Sequence, residues 1–288
     1  MRTLDVIWIN LLDEVLHDGD LVPGARNGGM VEKLNVSFEL PNIDYAILLN
    51  KRRNLCPKYM CAEVLWYFMN TKDASWLKQF APSYDQYLEE DGTAYWAYGP
   101  RFVDQLHCVL GLLRKYPESR RAVISLWHNM DLIHSVHETA KDVPCVCQFQ
   151  FFIRDNKLIL RVDQRSQDLW VGFPNDIFAF TCIQRAVAGS LGLECGSYFH
   201  NMGSCHIYSK HFTRVREALA AGRNRMYGYT DWEDKTTIAE IKRAASAIQD
   251  GLRCLDGGSM IQDLVSTVSN WNIHSPGLQI LRRRHASN

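Results

Sequence analysis

Near the N-terminus, apolar residues recur at helical spacing and are interrupted by Asp5, Asn10, Asp13 and Glu14, which predicts an amphipathic helix over residues 3–17. The acids also distinguish this stretch from a signal core or a membrane span. The Gly- and Pro-rich run LVPGARNGGM that follows predicts a loop, and residues 31–48 predict a strand. From Cys56 to Asn70 the positions Cys61, Val64, Leu65 and Phe68 give a helical period that encloses one acid, Glu63. An aromatic, turn-rich stretch from Tyr84 to Arg101 gives way to helical periodicity over Phe102 to Lys115. RRAVISLW predicts a strand, and CQFQFFIRDNKLILRVDQR predicts two more, joined by a tight Asp155-Asn156 turn. Asp176 to Leu193 predicts a long buried helix, and SYFHNMGSCHIYS another strand. Ile238, Ile241, Ala245, Ile248, Leu252 and Leu255 mark one face of a late helix. Strands and helices that mix without regular βαβ alternation point to an α+β fold.

The chain has 288 residues of which 47% are hydrophobic, enough for one sizeable core, so a single domain over residues 1–288 is expected. The 32 basic residues balance the 32 acidic ones. No global basic field invites DNA or an anionic membrane, and any phosphate recognition must be local. Nine cysteines are scattered without a CxxC pair, which fits a reducing cytoplasm and a soluble protein.

Several segments carry residues capable of chemistry. Cys145 follows a proline at the start of an apolar strand, where a cysteine is by default a small buried hydrophobe. Arg165 and Ser166 in QRSQD could hold an oxyanion or could decorate a solvated turn. Asn175 and Asp176 stand at the start of a helix, where an Asp is most simply an N-cap. His206 and Tyr208 share one face of a strand and could meet a sugar hydroxyl or pack in the core. Arg120 and Arg121 read as a solvated pair beside a strand.

Taken in order, GARNGG, AEVLWYF, YDQYLEEDGTAYWAYG, PESRRAVIS, VPCVCQFQF, DQRSQDLWVGFPNDI and GSCHIYS resemble thymidylate synthase over roughly residues 20 to 212. The resemblance implies a thymidylate synthase-like fold, a mixed β-sheet packed with helices, with one sheet face forming a homodimer interface. It implies Cys145 as the nucleophile on C6 of a pyrimidine nucleotide, with Glu63 and Tyr98 in the network that moves protons. It implies Arg26, Arg165 and Ser166 as phosphate ligands, with Arg120 and Arg121 reaching the phosphate across the dimer, and His206 and Tyr208 on the sugar. Methylenetetrahydrofolate is the implied co-substrate, near Arg53, Tyr84, Tyr87, Asp168, Gly172 and Asn175, and no metal is implied.

Asp176 stands where the synthases carry an asparagine that reads uracil, and an acid there suits the amine of cytosine. GFxND is also similar to bacteriophage deoxycytidylate hydroxymethylases, which make precursors of hypermodified DNA. Tyr84 and Tyr87 stand in place of tryptophans and Asn175 in place of a phenylalanine, which implies a wetter pocket. The C-terminal residues from about 213 read as a divergent helical segment without the family's apolar closing tail. These features imply a deoxycytidylate 5-hydroxymethylase. A deoxycytidylate methyltransferase, ribocytidylate as substrate, and an inactive nucleotide-binding subunit remain alternatives.

Overall fold

The computed structural model describes residues 3–24, 28–222, 230, 232, 236–249 and 259–269. Helix α1 (Leu4–Asp18) is capped by Thr3, whose hydroxyl accepts from the Val6 N–H, and buries Leu4, Ile7, Trp8, Leu11, Leu12 and Val15. Strands β1 (Asp20–Val22) and β2 (Met30–Leu40) follow. The expected strand over 31–48 thus ends at Leu40. Pro41 has no N–H for a sheet, and the Asn42 side chain takes the Asp44 N–H to start a short 3-10 turn over Ile43–Tyr45.

Helix α2 (Pro57–Phe68) begins on a proline and is buried on every side from Met60 to Phe68, so it runs through the core. Helix α3 (Ser75–Lys78) and a 3-10 turn over Pro82–Tyr87 lead to α4 (Gly99–Lys115). Strand β3 (Val123–Ser125) and helix α5 (Asn129–His137) come next; α5 was not evident in the sequence pattern. The hairpin of β4 (Val146–Arg154) and β5 (Lys157–Asp168) turns on Asp155 and Asn156, both at positive φ. Helix α6 (Phe173–Leu191) ends on Gly192 at φ 69° and feeds the long β6 (Glu194–Tyr208). Helices α7 (Phe212–Ala220), α8 (Ile238–Gln249) and α9 (Ser259–Ser269) complete the described chain. Ile238, Ile241 and Ala245 lie buried on α8 as expected, whereas Leu252 and Leu255 fall outside the described residues.

The six strands form one sheet in the order β1-β2-β6-β5-β4-β3. All neighbours are antiparallel except β5 and β6, and α6 is the crossover that a parallel pair requires. That crossover decides the site. It puts the C-terminal end of β5, the first turn of α6 and the C-terminal end of β6 side by side, with Ser166 level with Ser204 and Asp168 level with His206. One face of β5 (Leu158, Leu160, Val162, Gln164) is buried, while the alternate positions Ile159, Arg161 and Asp163 are wholly or partly exposed. Among the described residues no helix is long and apolar enough to cross a membrane.

Candidate active site

Cys145 lies immediately before β4 and is partly buried. Its N–H and that of Val146 both donate to the Tyr98 phenol oxygen at 3.2 Å, so the residue heading α4 anchors the start of the strand. Arg165, on the adjacent strand, donates its backbone N–H to the Cys145 carbonyl at 2.9 Å. Its guanidinium donates to the Pro144 carbonyl (2.8 Å) and the Val143 carbonyl (3.3 Å), and lies over Trp127. These bonds hold Nη2 3.8 Å from Sγ. Burial pushes the thiol up to about 11; Arg165 opposes that rise, while Asp142 and Asp176 add to it. Near neutral pH the resting sulfur therefore carries its proton, and a thiolate forms only when a base takes it or added positive charge draws it off.

Glu63 projects from the middle of α2 and is 3% exposed. The Tyr84 hydroxyl lies 2.9 Å from its Oε1, the Tyr59 hydroxyl meets the same oxygen, and the two hydroxyls also meet each other. Three contacts therefore share two phenol hydrogens unless Glu63 brings a proton of its own. Oε2 is buried without a partner among the described residues. Burial, followed by the nearby charge of Asp176, lifts this acid to about 7, against the phenol hydrogen bonds that lower it. Such an acid exchanges a proton at working pH.

Asp176 does not cap α6, contrary to the simplest reading of its position. The helix starts three residues earlier, with Gly172 as its N-cap, and the side chain turns toward β5. There its Oδ2 accepts from Gln164 Nε2 at 3.2 Å and from Gln167 Nε2 at 2.8 Å. Gly172 leaves room for this arrangement: a Cβ there would stand 3.1 Å from Gln167 Nε2 and 3.2 Å from Asp176 Oδ2. Burial raises Asp176 to about 6, and the two amides pull it down. On β6, the His206 and Tyr208 rings meet edge to face at 4.8 Å. His206 Nε2 is buried with no partner among the described residues, and burial lowers its pKa against the pull of Asp168.

A cysteine beside an arginine, a near-neutral buried acid and a partly buried Asp held by two glutamines thus share one end of the sheet. The sequence model of the thymidylate synthase family matches residues 7–245. The chain belongs to the thymidylate synthase family. The matched span extends at both ends beyond the run of motifs that carried the resemblance. The fold is also similar to that of the thermostable thymidylate synthase A from Bacillus subtilis, with a TM-score of 0.65 and 24% identity, covering 76% of this chain and 84% of that one. Membership makes the protein a one-carbon transferase of a class that acts at C5 of a pyrimidine nucleotide and uses methylenetetrahydrofolate as co-substrate.

Of the residues expected near the folate, Arg53, Asp168 and Asn175 gather on one turn. Asp168 Oδ1 accepts from the N–H groups of Trp170 (2.8 Å) and Val171 (3.1 Å), Arg53 donates to the carbonyls of the same two residues, and Asn175 Nδ2 donates to the Val171 carbonyl at 3.0 Å. Asn175 Oδ1 is buried and unpartnered among the described residues. A pterin carries amine and ring N–H donors, and this open acceptor beside the Asp168 carboxylate fits them. Tyr84 is committed to Glu63, and Tyr87 packs edge-on against Tyr84 at 6.4 Å.

Ser166 lies half-buried one residue beyond Arg165. Arg120 and Arg121 are exposed and precede the edge strand β3, where Arg121 lies over Tyr116. Arg26 lies outside the described residues. Sequence reasoning missed Gln164, Gln167, Tyr59 and His200. A usable signal was there for the glutamines: two amides flank Arg165-Ser166 on a strand whose alternation turns Gln164 inward.

Proposed function

We propose that the protein is a deoxycytidylate 5-hydroxymethylase that works as a homodimer. The reading rests chiefly on Asp176. Its inner oxygen is taken by two amide N–H groups, so the outer oxygen is left to accept from the exocyclic amine of cytosine. Uracil would set a carbonyl against it, and two facing acceptors in a buried site cost about 1–3 kcal/mol. Burial lifts the Asp176 pKa to about 6, so near neutral pH it is mainly ionised, and a proton it takes up on the outer oxygen can be shared with N3 as the ring takes up electron density.

The Cys145 thiolate adds to C6, which makes C5 nucleophilic, and Arg165 beside the sulfur favours the charged form. Bound folate supplies a one-carbon unit at the oxidation level of formaldehyde. Once C5 has lost its proton, Glu63, with its open Oε2 and two phenols on Oε1, is the base that takes a proton from water as the water oxygen bonds to the exocyclic carbon of the nucleotide. The displaced electron pair returns through C5 and breaks the C6–S bond, so Cys145 leaves as its thiolate. Tyr59 and Tyr84 surround Glu63 with hydroxyls that can hold water. That composition favours hydroxymethyl over methyl as product.

For the dimer, Phe152, Ile159 and Phe199 on the outer face of the sheet are only partly covered, and the family is usually dimeric. Arg120 and Arg121, exposed at the sheet edge, would then serve the partner's phosphate site. Mass analysis of products formed from deoxycytidylate or deoxyuridylate with methylenetetrahydrofolate tests the reaction. A deoxycytidylate product heavier by the elements CH2O is expected. A gain of CH2 alone overturns water capture, and turnover confined to deoxyuridylate overturns the base assignment.

A further inference from the structure

Asp176 is held from behind by a chain of buried groups. Gln167 Nε2 donates to Asp176 Oδ2 at 2.8 Å, Gln167 Oε1 lies 3.0 Å from His200 Nε2, and His200 Nδ1 lies 2.7 Å from the Tyr198 hydroxyl. Gln167 is 2% exposed, and His200 and Tyr198 are fully buried. His200 sits among aromatic rings, with Phe38 at 5.4 Å, Tyr198 at 5.8 Å and Phe173 edge-on at 6.1 Å. Burial in that slot takes its pKa down to about 3, so the ring is neutral.

A neutral imidazole has one donor and one acceptor. Gln167 turns its NH2 to a carboxylate that can only accept, so it shows His200 its carbonyl. His200 therefore carries its hydrogen on Nε2, and Nδ1 accepts from Tyr198. The chain runs one way, from phenol to imidazole to amide to carboxylate. Turning the Gln167 amide over would face oxygen with oxygen at Asp176 and N–H with N–H at His200, leaving buried groups unpaired at both ends.

We infer that His200 is a positioning residue for base selection: through Gln167 it pins the inner oxygen of Asp176, so that the outer oxygen alone meets the nucleobase. The inference rests on the reading of Asp176 as the base reader. Without the imidazole donor, the Gln167 amide rotates, Asp176 loses a fixed N–H, and its side chain can turn either edge to the ring. Charged and titratable groups facing Asp176 come from several elements: Glu63 and Tyr67 of α2, Tyr84, Tyr98, Cys145, Asp168 and Tyr198. Of these, only Tyr198 touches His200, and its hydroxyl loses its partner in His200→Phe.

The test compares the full chain with His200→Phe, which fills the slot but has no donor, and His200→Gln, whose amide can return an N–H to Gln167. Binding of deoxycytidylate and of deoxyuridylate is measured by calorimetry across the neutral range, with thermal unfolding as a control. His200→Phe is expected to lose about tenfold of the discrimination between the two nucleotides, the scale of one misplaced hydrogen bond. Its acidic limb should also move to higher pH, because a carboxylate that loses a hydrogen bond is protonated more easily. His200→Gln should restore both.

A folded His200→Phe with the parent's ratio and limb overturns the inference. Should that variant not fold, Gln167→Met cuts the same chain one link nearer Asp176, and an unchanged ratio there overturns it equally. A parent protein that prefers deoxyuridylate refutes the proposed substrate instead, and the ratio in the variants then still decides the role of His200.

Discussion

Glu63 shows at the scale of one residue how a site conflicts with stability. Its folded pKa of about 7 lies above the ordinary carboxyl value of about 4.3. Below that ordinary value the acid is protonated in both folded and unfolded chains and costs nothing. As pH rises toward 7 the unfolded chain ionises first, and stability falls until the folded pKa is passed. The shift corresponds to roughly 4 kcal/mol at most, lost between about pH 4 and pH 7. Glu63→Gln is therefore expected to be more stable than the parent by about 1–3 kcal/mol at pH 8. The gain should vanish near pH 4, and denaturant unfolding at the two pH values checks it. The same variant should lose at least about a hundredfold in turnover, as expected when a general acid or base is removed.

At the scale of elements, the site depends on how closely α4 approaches α2. Gly99 opens α4, and a Cβ added to it would stand 2.5 Å from the Tyr67 carbonyl oxygen and 3.3 Å from its carbon. Both are backbone atoms of α2, which cannot turn aside as a side-chain tip can. Gly99→Ala gains about 1 kcal/mol of helix propensity, but the overpacking penalty of about 1–3 kcal/mol is larger. The variant should be less stable by denaturant unfolding, and its turnover should fall more than its nucleotide binding. The reason is adjacency: Tyr98 precedes Gly99 and holds the N–H groups of Cys145 and Val146. A shift of α4 thus reaches Cys145, the proposed nucleophile. Helices α2 and α4 were legible as elements because their apolar positions are periodic, but their close approach was not, because the pattern carries no distance.

At the scale of the whole molecule, the proposed dimer bears on how the nucleotide's phosphate is held. Arg165 is committed to the carbonyls of residues 143 and 144, while Arg120 and Arg121 stand exposed at the far edge of the sheet. If they serve a partner copy, mixing inactive Cys145→Ala with inactive Arg120→Ala/Arg121→Ala should restore activity. Random exchange of a two-fold dimer predicts about a quarter of the parent's sites intact. Steady-state assays of the mixture after reversible dissociation check this, and a mixture as inactive as its components counts against the shared site.

The sequence by itself determined the main elements: the capped first helix, the core helix around Glu63, the hairpin at Asp155-Asn156 and the crossover helix. Each is written in a local period or a turn residue, within reach of a few neighbours along the chain. It also carried the groups proposed to react, since Cys145, Glu63, Arg165 and Asp176 stand in ordered motifs. The tertiary structure decided what those groups do to one another. Gln167 reaches Asp176 across nine residues and His200 across thirty-three, and Tyr84 reaches Glu63 across twenty-one. Those partners depend on sheet register, on where α6 begins and on how α2 is buried. Such choices are made when the apolar faces pack together, and no local pattern encodes them.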